Sequence, residues 1–155
     1  MPSKKLFKSI AAGAIVLGLG FSLAYAAADD VIKARQNWMK ERAKALGPMV
    51  AIMKGEAPYD AAAVKASLDA VNAPGEAVKD IELFPPDSAK GETVETFAKA
   101  EIWSDPEGFK AAAEAMEKAF SDLAATTDEA GFRAAFPAVG EACGSCHEKF
   151  RRPKG

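Results

Sequence analysis

The sequence has little of what most metal sites, nucleic-acid sites and sheets require. Of its 155 residues, only one is histidine and two are cysteine. A structural zinc site takes four ligands, and these three side chains are too few to build one. The formal net charge of −2 excludes the strongly basic surface that binds nucleic acid. Runs of β-branched residues and Asn-Gly hairpin signals are also missing, so a sheet protein is not indicated.

The first residues have the order of an export leader. An uncharged apolar run, 10–23, follows the basic residues Lys4, Lys5 and Lys8. The small-x-small triplet Ala24-Tyr25-Ala26 comes next, which predicts a signal peptide over 1–26, with cleavage after Ala28 as the second choice. A retained anchor is the alternative, but the run is shorter than the roughly 20 residues of a membrane span. Cleavage removes three lysines and makes the mature domain, residues 27–155, more acidic.

The mature part is alanine-rich and has helical periodicity, which predicts an all-α fold, an antiparallel four-helix bundle. Gly47-Pro48 is expected to kink or break the first helix. Residues 82–103 contain Pro85-Pro86 and predict a long crossover loop with a short helical turn around 93–99. The first helix is predicted from about Asp30 to Lys54, with Asp29 or Asp30 as its cap. The second is predicted from Asp60 to Asn72, with a resumption to Lys79 as an option. The third begins at Ser104 or Asp105, and the fourth at Thr127 or Asp128.

Cys143-Gly144-Ser145-Cys146-His147 is the C-x-x-C-H pattern of covalent haem attachment. Positions three apart on a helix share a face, so each thiol can add to one vinyl group of a haem while the next residue directs its imidazole at the iron. A disulfide would leave His147 without a role. A thioredoxin-like pair requires a βαβ context, which this chain lacks. A haem-free helical binding module is the remaining alternative.

The sixth position of the iron has few candidate ligands. His147 is the only histidine, and the eight residues after it are too few to fold back. A methionine from upstream, or no ligand, remains. In an up-down bundle, His147 and Met39 lie at similar depths, roughly 9 and 13 Å from the same end. The other methionines of the mature chain are placed deeper: Met49, Met53 and Met116.

The mature chain resembles the cytochrome c′ family, the class II cytochromes c. The stretches that carry the resemblance are Ala34-Arg35-Gln36, Lys54-Gly55-Glu56-Ala57-Pro58-Tyr59-Asp60, Glu101-Ile102-Trp103, and Cys143 to Arg151. The resemblance implies a haem c with Arg35 and Gln36 near its propionates and Arg151 beside the proximal His147. Low-spin members, of the cytochrome c-556 type, carry a ligating methionine where this chain has Met39, whereas high-spin members leave the iron open to nitric oxide or carbon monoxide.

These observations predict a periplasmic electron carrier with one covalently attached haem c, ligated by His147 and Met39, and no enzymatic activity. A high-spin protein that binds nitric oxide or carbon monoxide is the alternative. The expected partners are soluble or membrane redox proteins, with no nucleic acid and no membrane span after cleavage. A homodimer is an option that the resemblance implies.

Overall fold

Helices dominate the computed structural model, which describes residues 19–72 and 83–153. In that part of the chain, the only β-type pairing is an isolated bridge between Ala98 and Arg151. The fold is an all-α, antiparallel four-helix bundle, as predicted, with its long helices in α1, α3, α5 and α6. The elements are α1 (Leu19–Ala45), α2 (Gly47–Lys54), α3 (Ala61–Asn72), a 3-10 turn (Pro86–Ser88), α4 (Glu101–Ser104), α5 (Pro106–Ala124) and α6 (Glu129–Phe150).

Aspartates begin three of these helices, as the sequence predicts. The Asp60 carboxylate accepts the backbone N–H of Ala62 at 2.8 Å. Asp105 and Asp128 accept the N–H groups three residues ahead of them, at 3.0 and 2.8 Å. Each cap satisfies a donor that the first helical turn leaves unpaired. Pro106 occupies the first position of α5, where its missing N–H costs nothing.

Helix α1 differs from the prediction at its start, because it begins at Leu19 and passes through Asp29. The Asp29 carboxylate is not a cap; it binds the distant segment 92–94. It accepts the Glu92 N–H at 2.9 Å, the Thr93 N–H at 3.1 Å and hydroxyl at 2.5 Å, and the Val94 N–H at 3.3 Å. No local pattern reveals partners more than 60 residues away. The option that α3 resumes as far as Lys79 lies outside the described residues.

The break predicted at Gly47-Pro48 is present. Helix α1 ends at Ala45 and α2 begins at Gly47, so that Pro48 lies in the first turn of α2. Gly55 ends α2 in the left-handed conformation (φ 75°), which glycine adopts without the steric cost other residues incur.

One prediction about the connection between α3 and α5 is wrong. Residues 93–99 are not helical; the short helix is α4, two residues further on. Side chains hold this backbone in a non-helical shape, because Asp29 binds residues 92–94 and Thr96 accepts the Ala98 N–H at 3.2 Å. The connection is also tied to the C-terminus. Lys99 N–H donates to the Phe150 carbonyl at 2.9 Å, and Arg152 N–H to that of Phe97 at 2.8 Å.

Two groups of buried side chains fill the bundle interior. The small core consists of Ile102, Phe109 and Phe150. Helices α5 and α6 form the most extensive helix pair, whereas α1 packs mainly on α3 and the 86–88 turn. Within the described residues, no helix is long and apolar enough to span a bilayer. The main core consists of Met49, Ile52, Val64, Leu68, Val71, Ala119, Phe120, Leu123, Phe132 and Val139.

Candidate functional site

A cavity of about 180 Å³ lies between α1, α5 and α6, at the level between the two cores. Its surface is almost entirely apolar. Phe84 and Phe109 lie at the end nearest the small core, and Phe120 at the end nearest the main core. The side chains that carry chemistry are Met39 and Arg42 from α1, Met116 from α5, and Cys143, Cys146 and His147 from α6.

The C-x-x-C-H segment lies within the last three turns of α6. Helical spacing brings Cys143, Cys146 and His147 to the cavity together, while Gly144 and Ser145 face solvent. The two thiols are not bonded to each other. Helix α6 continues through Pro137 to Phe150, so this segment has regular helical geometry.

The imidazole of His147 is suited to bind a metal at neutral pH. Burial lowers its pKa below the ordinary value of 6.5, and the positive charge of Arg151 lowers it further. The ring is therefore neutral at pH 7, and one nitrogen has a free lone pair. Burial also raises the pKa of the Cys143 thiol, whereas the charge of Arg42 acts in the opposite direction.

Met39 lines the cavity from α1, and His147 lines it from α6. Two other methionines lie elsewhere: Met49 is fully buried in the main core, and Met53 packs against it. The depth prediction for Met116 is wrong, because Met116 lines the same cavity. The cavity extends along α5 from Phe109 to Phe120, roughly 16 Å at 1.5 Å per residue. Depth alone therefore does not distinguish Met116 from Met39 as a candidate ligand.

Arg35 and Gln36 do not line the cavity; they bind the connection beside it. The Arg35 guanidinium donates to the Ser88 hydroxyl and carbonyl at 2.9 and 2.8 Å and to the Thr96 hydroxyl at 2.6 Å. Burial lowers its pKa to about 10, so it remains charged at neutral pH. Gln36 donates to the Glu95 carbonyl at 2.7 Å.

Arg151 lies one residue beyond the end of α6, in extended backbone, and its side chain is exposed. The resemblance implies that it lies beside the proximal His147, although α6 itself stops at Phe150. Its N–H still donates to the His147 carbonyl at 3.0 Å, which keeps its charge near the imidazole.

The residues of the cavity fit a haem. Two thiols three residues apart, an adjacent neutral imidazole and an apolar surround are the donor set and environment that covalent attachment requires. The indole N–H of Trp38 is buried and has no hydrogen-bond acceptor among the described residues, although Trp38 lines the cavity. A buried donor of this kind is uncommon when protein atoms alone complete an interior. Fold and site together define the class: a helical c-type haem protein.

Known proteins place the chain within that class. The cytochrome C′ family model matches residues 30–151. Cytochrome c′ of Cereibacter sphaeroides is 39% identical over 127 residues, covering 80% of this chain and 84% of the relative. Cytochrome c-556 of Agrobacterium tumefaciens is 35% identical over 127 residues, covering 79% and 98%.

A solved structure has the same fold. Ferrous cytochrome c prime of Alcaligenes xylosoxidans, a variant with bound NO, superimposes with a TM-score of 0.72 at 32% identity, covering 82% of this chain and 97% of that one. The chain belongs to the cytochrome c′ family. Like the family, it carries a covalently attached c-type haem.

Sequence reasoning missed three side chains of the cavity. Arg42 follows Met39 by three residues on α1, so helical spacing alone was a sufficient signal. Trp38 has no such spacing from Met39 and was missed. Phe84 comes from the connection, and no periodicity places a loop residue against a helix bundle.

Proposed function

We propose that this protein is a periplasmic electron carrier whose haem is attached through Cys143 and Cys146 and ligated by His147 and Met39. The observation that carries the proposal is the position of Met39 and His147 on different walls of one apolar cavity, next to both thiols. Helix α1 would supply the Met39 sulfur and α6 the His147 imidazole to hold the iron.

Met39 is better placed than Met116 for this role. Met116 comes from α5, which packs directly along α6, the helix that carries His147. Met116 also packs against the main core, whereas Met39 does not. The second ligand to the iron would therefore come from α1 rather than α5.

The haem supplies one-electron iron chemistry when it is bound. The protein contributes a neutral imidazole, a thioether sulfur and an apolar enclosure that limits water access. With both residues holding the iron, its protein ligands would stay the same on reduction and oxidation, which would suit rapid electron exchange. The cavity side chains capable of acid–base or nucleophilic chemistry, Cys143, Cys146 and His147, are assigned to haem attachment and ligation, and no catalytic residue is proposed.

Arg35 and Gln36 are proposed to stabilise the propionate side of the haem, and Arg151 is proposed to lie beside the proximal His147. The buried Arg35 and half-buried Gln36 hold residues 88–96 in place beside the cavity. Arg151 keeps a positive charge near His147. Their present partners are protein groups, so their contribution is to shape and charge this side of the site.

Export follows from the leader. We propose that residues 1–26 are removed and that residues 27–155 act in the periplasm, with no remaining membrane span. The partners proposed are soluble or membrane redox proteins and a second copy of the chain as a homodimer; nucleic acid is not among them. N-terminal sequencing of periplasmic protein tests this, and a blocked or unprocessed Met1 would contradict it.

Replacing Met39 by leucine tests the axial ligand. The purified haem protein should lose the Fe–S(Met) charge-transfer band of its oxidised visible spectrum, and the reduced protein should bind carbon monoxide readily. Met116→Leu is the matched control, since Met116 lines the same cavity, and it should leave the band unchanged. The proposal is wrong if the native protein has no such band, or if only Met116→Leu removes it.

Gas binding is the second candidate, because the structurally similar Alcaligenes xylosoxidans protein is described with bound NO. In that case the iron of the native protein would be open on the Met39 side. Stopped-flow mixing of the reduced native protein with carbon monoxide separates the candidates. A slow binding rate, limited by release of Met39 from the iron, favours the electron carrier. A fast binding rate that rises in proportion to the carbon monoxide concentration favours the gas-binding protein.

A further inference from the structure

A permanent positive charge lies on the wall of the apolar cavity. Arg42 is the only residue with a permanently charged side chain (lysine, arginine, aspartate or glutamate) among the described residues that line the cavity. It follows Met39 by three residues on α1, so the two side chains share one helical face. Arginine on an apolar wall requires a physical reason, because removing a charge from water is unfavourable.

Aromatic rings hold the guanidinium in place. Its central carbon lies 4.3 Å from the centroid of the Trp38 ring and 5.2 Å from that of Phe120. Trp38 is buried beside it on α1, and Phe120 is buried on α5. Such cation–π contacts stabilise a cation that is partly withdrawn from water, and they restrict its position. The charge is therefore directed into the space between α1 and α5.

The charge of Arg42 reaches the α6 side of the cavity as well. It lowers the pKa of the Cys143 thiol, in opposition to the larger effect of burial. Cys143 is the first thiol of the attachment segment, so a group attached there lies in the field of Arg42. In an apolar interior such a field is screened less than in water.

We infer that Arg42 raises the reduction potential of the haem by placing a fixed positive charge at the cavity wall beside Cys143. The oxidised centre carries one more positive charge than the reduced centre, and a nearby cation disfavours that additional charge. Loss of the cation therefore favours oxidation. The inference rests on attachment at Cys143 and is independent of whether Met39 is a ligand.

Redox titration of purified haem-loaded variants tests the inference. Arg42→Gln should increase the ratio of oxidised to reduced protein at a given potential by about tenfold, which lowers the midpoint by about 59 mV. Arg42→Lys keeps the charge and should retain most of the native potential. Lys44→Gln is the matched control on the same helix, because the Lys44 side chain is 81% exposed, and its effect should be small and should disappear in salt.

If Arg42→Gln does not fold, Arg42→Met is used in its place, because methionine preserves the length and apolar contacts of the side chain. The methionine and lysine variants then differ mainly in charge. The inference is overturned if Arg42→Gln or Arg42→Met shifts the potential no more than Lys44→Gln, or if Arg42→Lys shifts it equally. The axial-ligand band is recorded for each variant, so that failure of this inference and failure of Met39 ligation give different results.

Discussion

The main core and the cavity occupy neighbouring levels of one bundle, yet their side chains are buried to different extents. Phe132, Leu123 and Val71 in the main core have no exposed surface. Met39, Met116 and the two cysteines at the cavity are only partly buried. The main core is completed by protein side chains packing on one another, whereas the cavity walls face a shared space. Stability is therefore concentrated in one region and cofactor chemistry in the other.

The largest effect should come from removing the attachment point at the cavity. In the double variant Cys143→Ser with Cys146→Ser, no thioether bond can form, and denatured protein should show no haem stain on a gel. Ser145→Ala is the control between them, since its exposed hydroxyl donates only to backbone carbonyls of the same helix, those of Glu141 and Ala142. Haem retained covalently by the double variant would contradict the proposed attachment.

A large loss of stability without a spectral change should follow from Phe132→Ala in the main core. Phe132 is fully buried, and truncating such a ring costs about 3–5 kcal/mol. Denaturant unfolding measures the loss. Phe132→Leu fills more of the space and should cost less. If the visible spectrum of folded Phe132→Ala changed as much as that of a cavity variant, the separation of the two regions would not hold.

An acid-dependent loss of stability is expected where Asp29 holds the connection beside the cavity. The Thr93 hydroxyl is the main cause that keeps the pKa of Asp29 below its ordinary value of 3.8, with backbone N–H groups contributing and burial opposing. This carboxylate stabilises the fold fully above pH 3.8 and progressively less as the pH falls through its lower folded pKa. Melting temperature measured against pH should therefore decline in that acidic range.

Asp29→Asn should melt at a lower temperature at neutral pH and show a flatter acid decline. Asp30→Asn is the matched control, because Asp30 is the adjacent residue and its side chain is 79% exposed. Equal pH profiles for Asp29→Asn and the native protein would show that this carboxylate does not hold the connection.

The smallest effect is expected on the solvent side of α5, which belongs to neither region. Lys118 and Asp122 form an exposed ion pair at 2.6 Å. Pairs of this kind contribute about 0.3–0.5 kcal/mol, so Lys118→Ala should change the unfolding free energy by no more than that and leave the spectrum unchanged. A loss above about 1 kcal/mol would mean that stability is not confined to the buried faces.

Local rules predicted most of the fold. The aspartate caps, Pro106 and the Gly47-Pro48 break were all readable from adjacent residues, because each acts within one helical turn. The start of α1 and the form of residues 93–99 were predicted wrongly. Asp29, predicted as a possible cap, lies inside α1 and binds residues 92–94, which are distant in sequence.

The candidate site likewise has residues that local spacing predicts and residues whose roles depend on distant parts of the chain. Helical spacing was enough to bring Cys143, Cys146 and His147 to one face, since all three belong to a single helix. Distinguishing Met39 from Met116 requires the packing of different helices, which a depth estimate along each axis does not supply. Arg35 binds Ser88 and Thr96, and no pattern in the sequence pairs these residues.

The ties between the C-terminus and residues 97–99 have a consequence for the end of α6. The last turn of a helix often frays, but here the Phe150 carbonyl and the Arg152 N–H are both held by the connection. Amide protons of residues 147–150 should therefore exchange with solvent slowly for the last turn of a helix. The imidazole then belongs to a rigid support, and its orientation toward the cavity persists between encounters with other molecules.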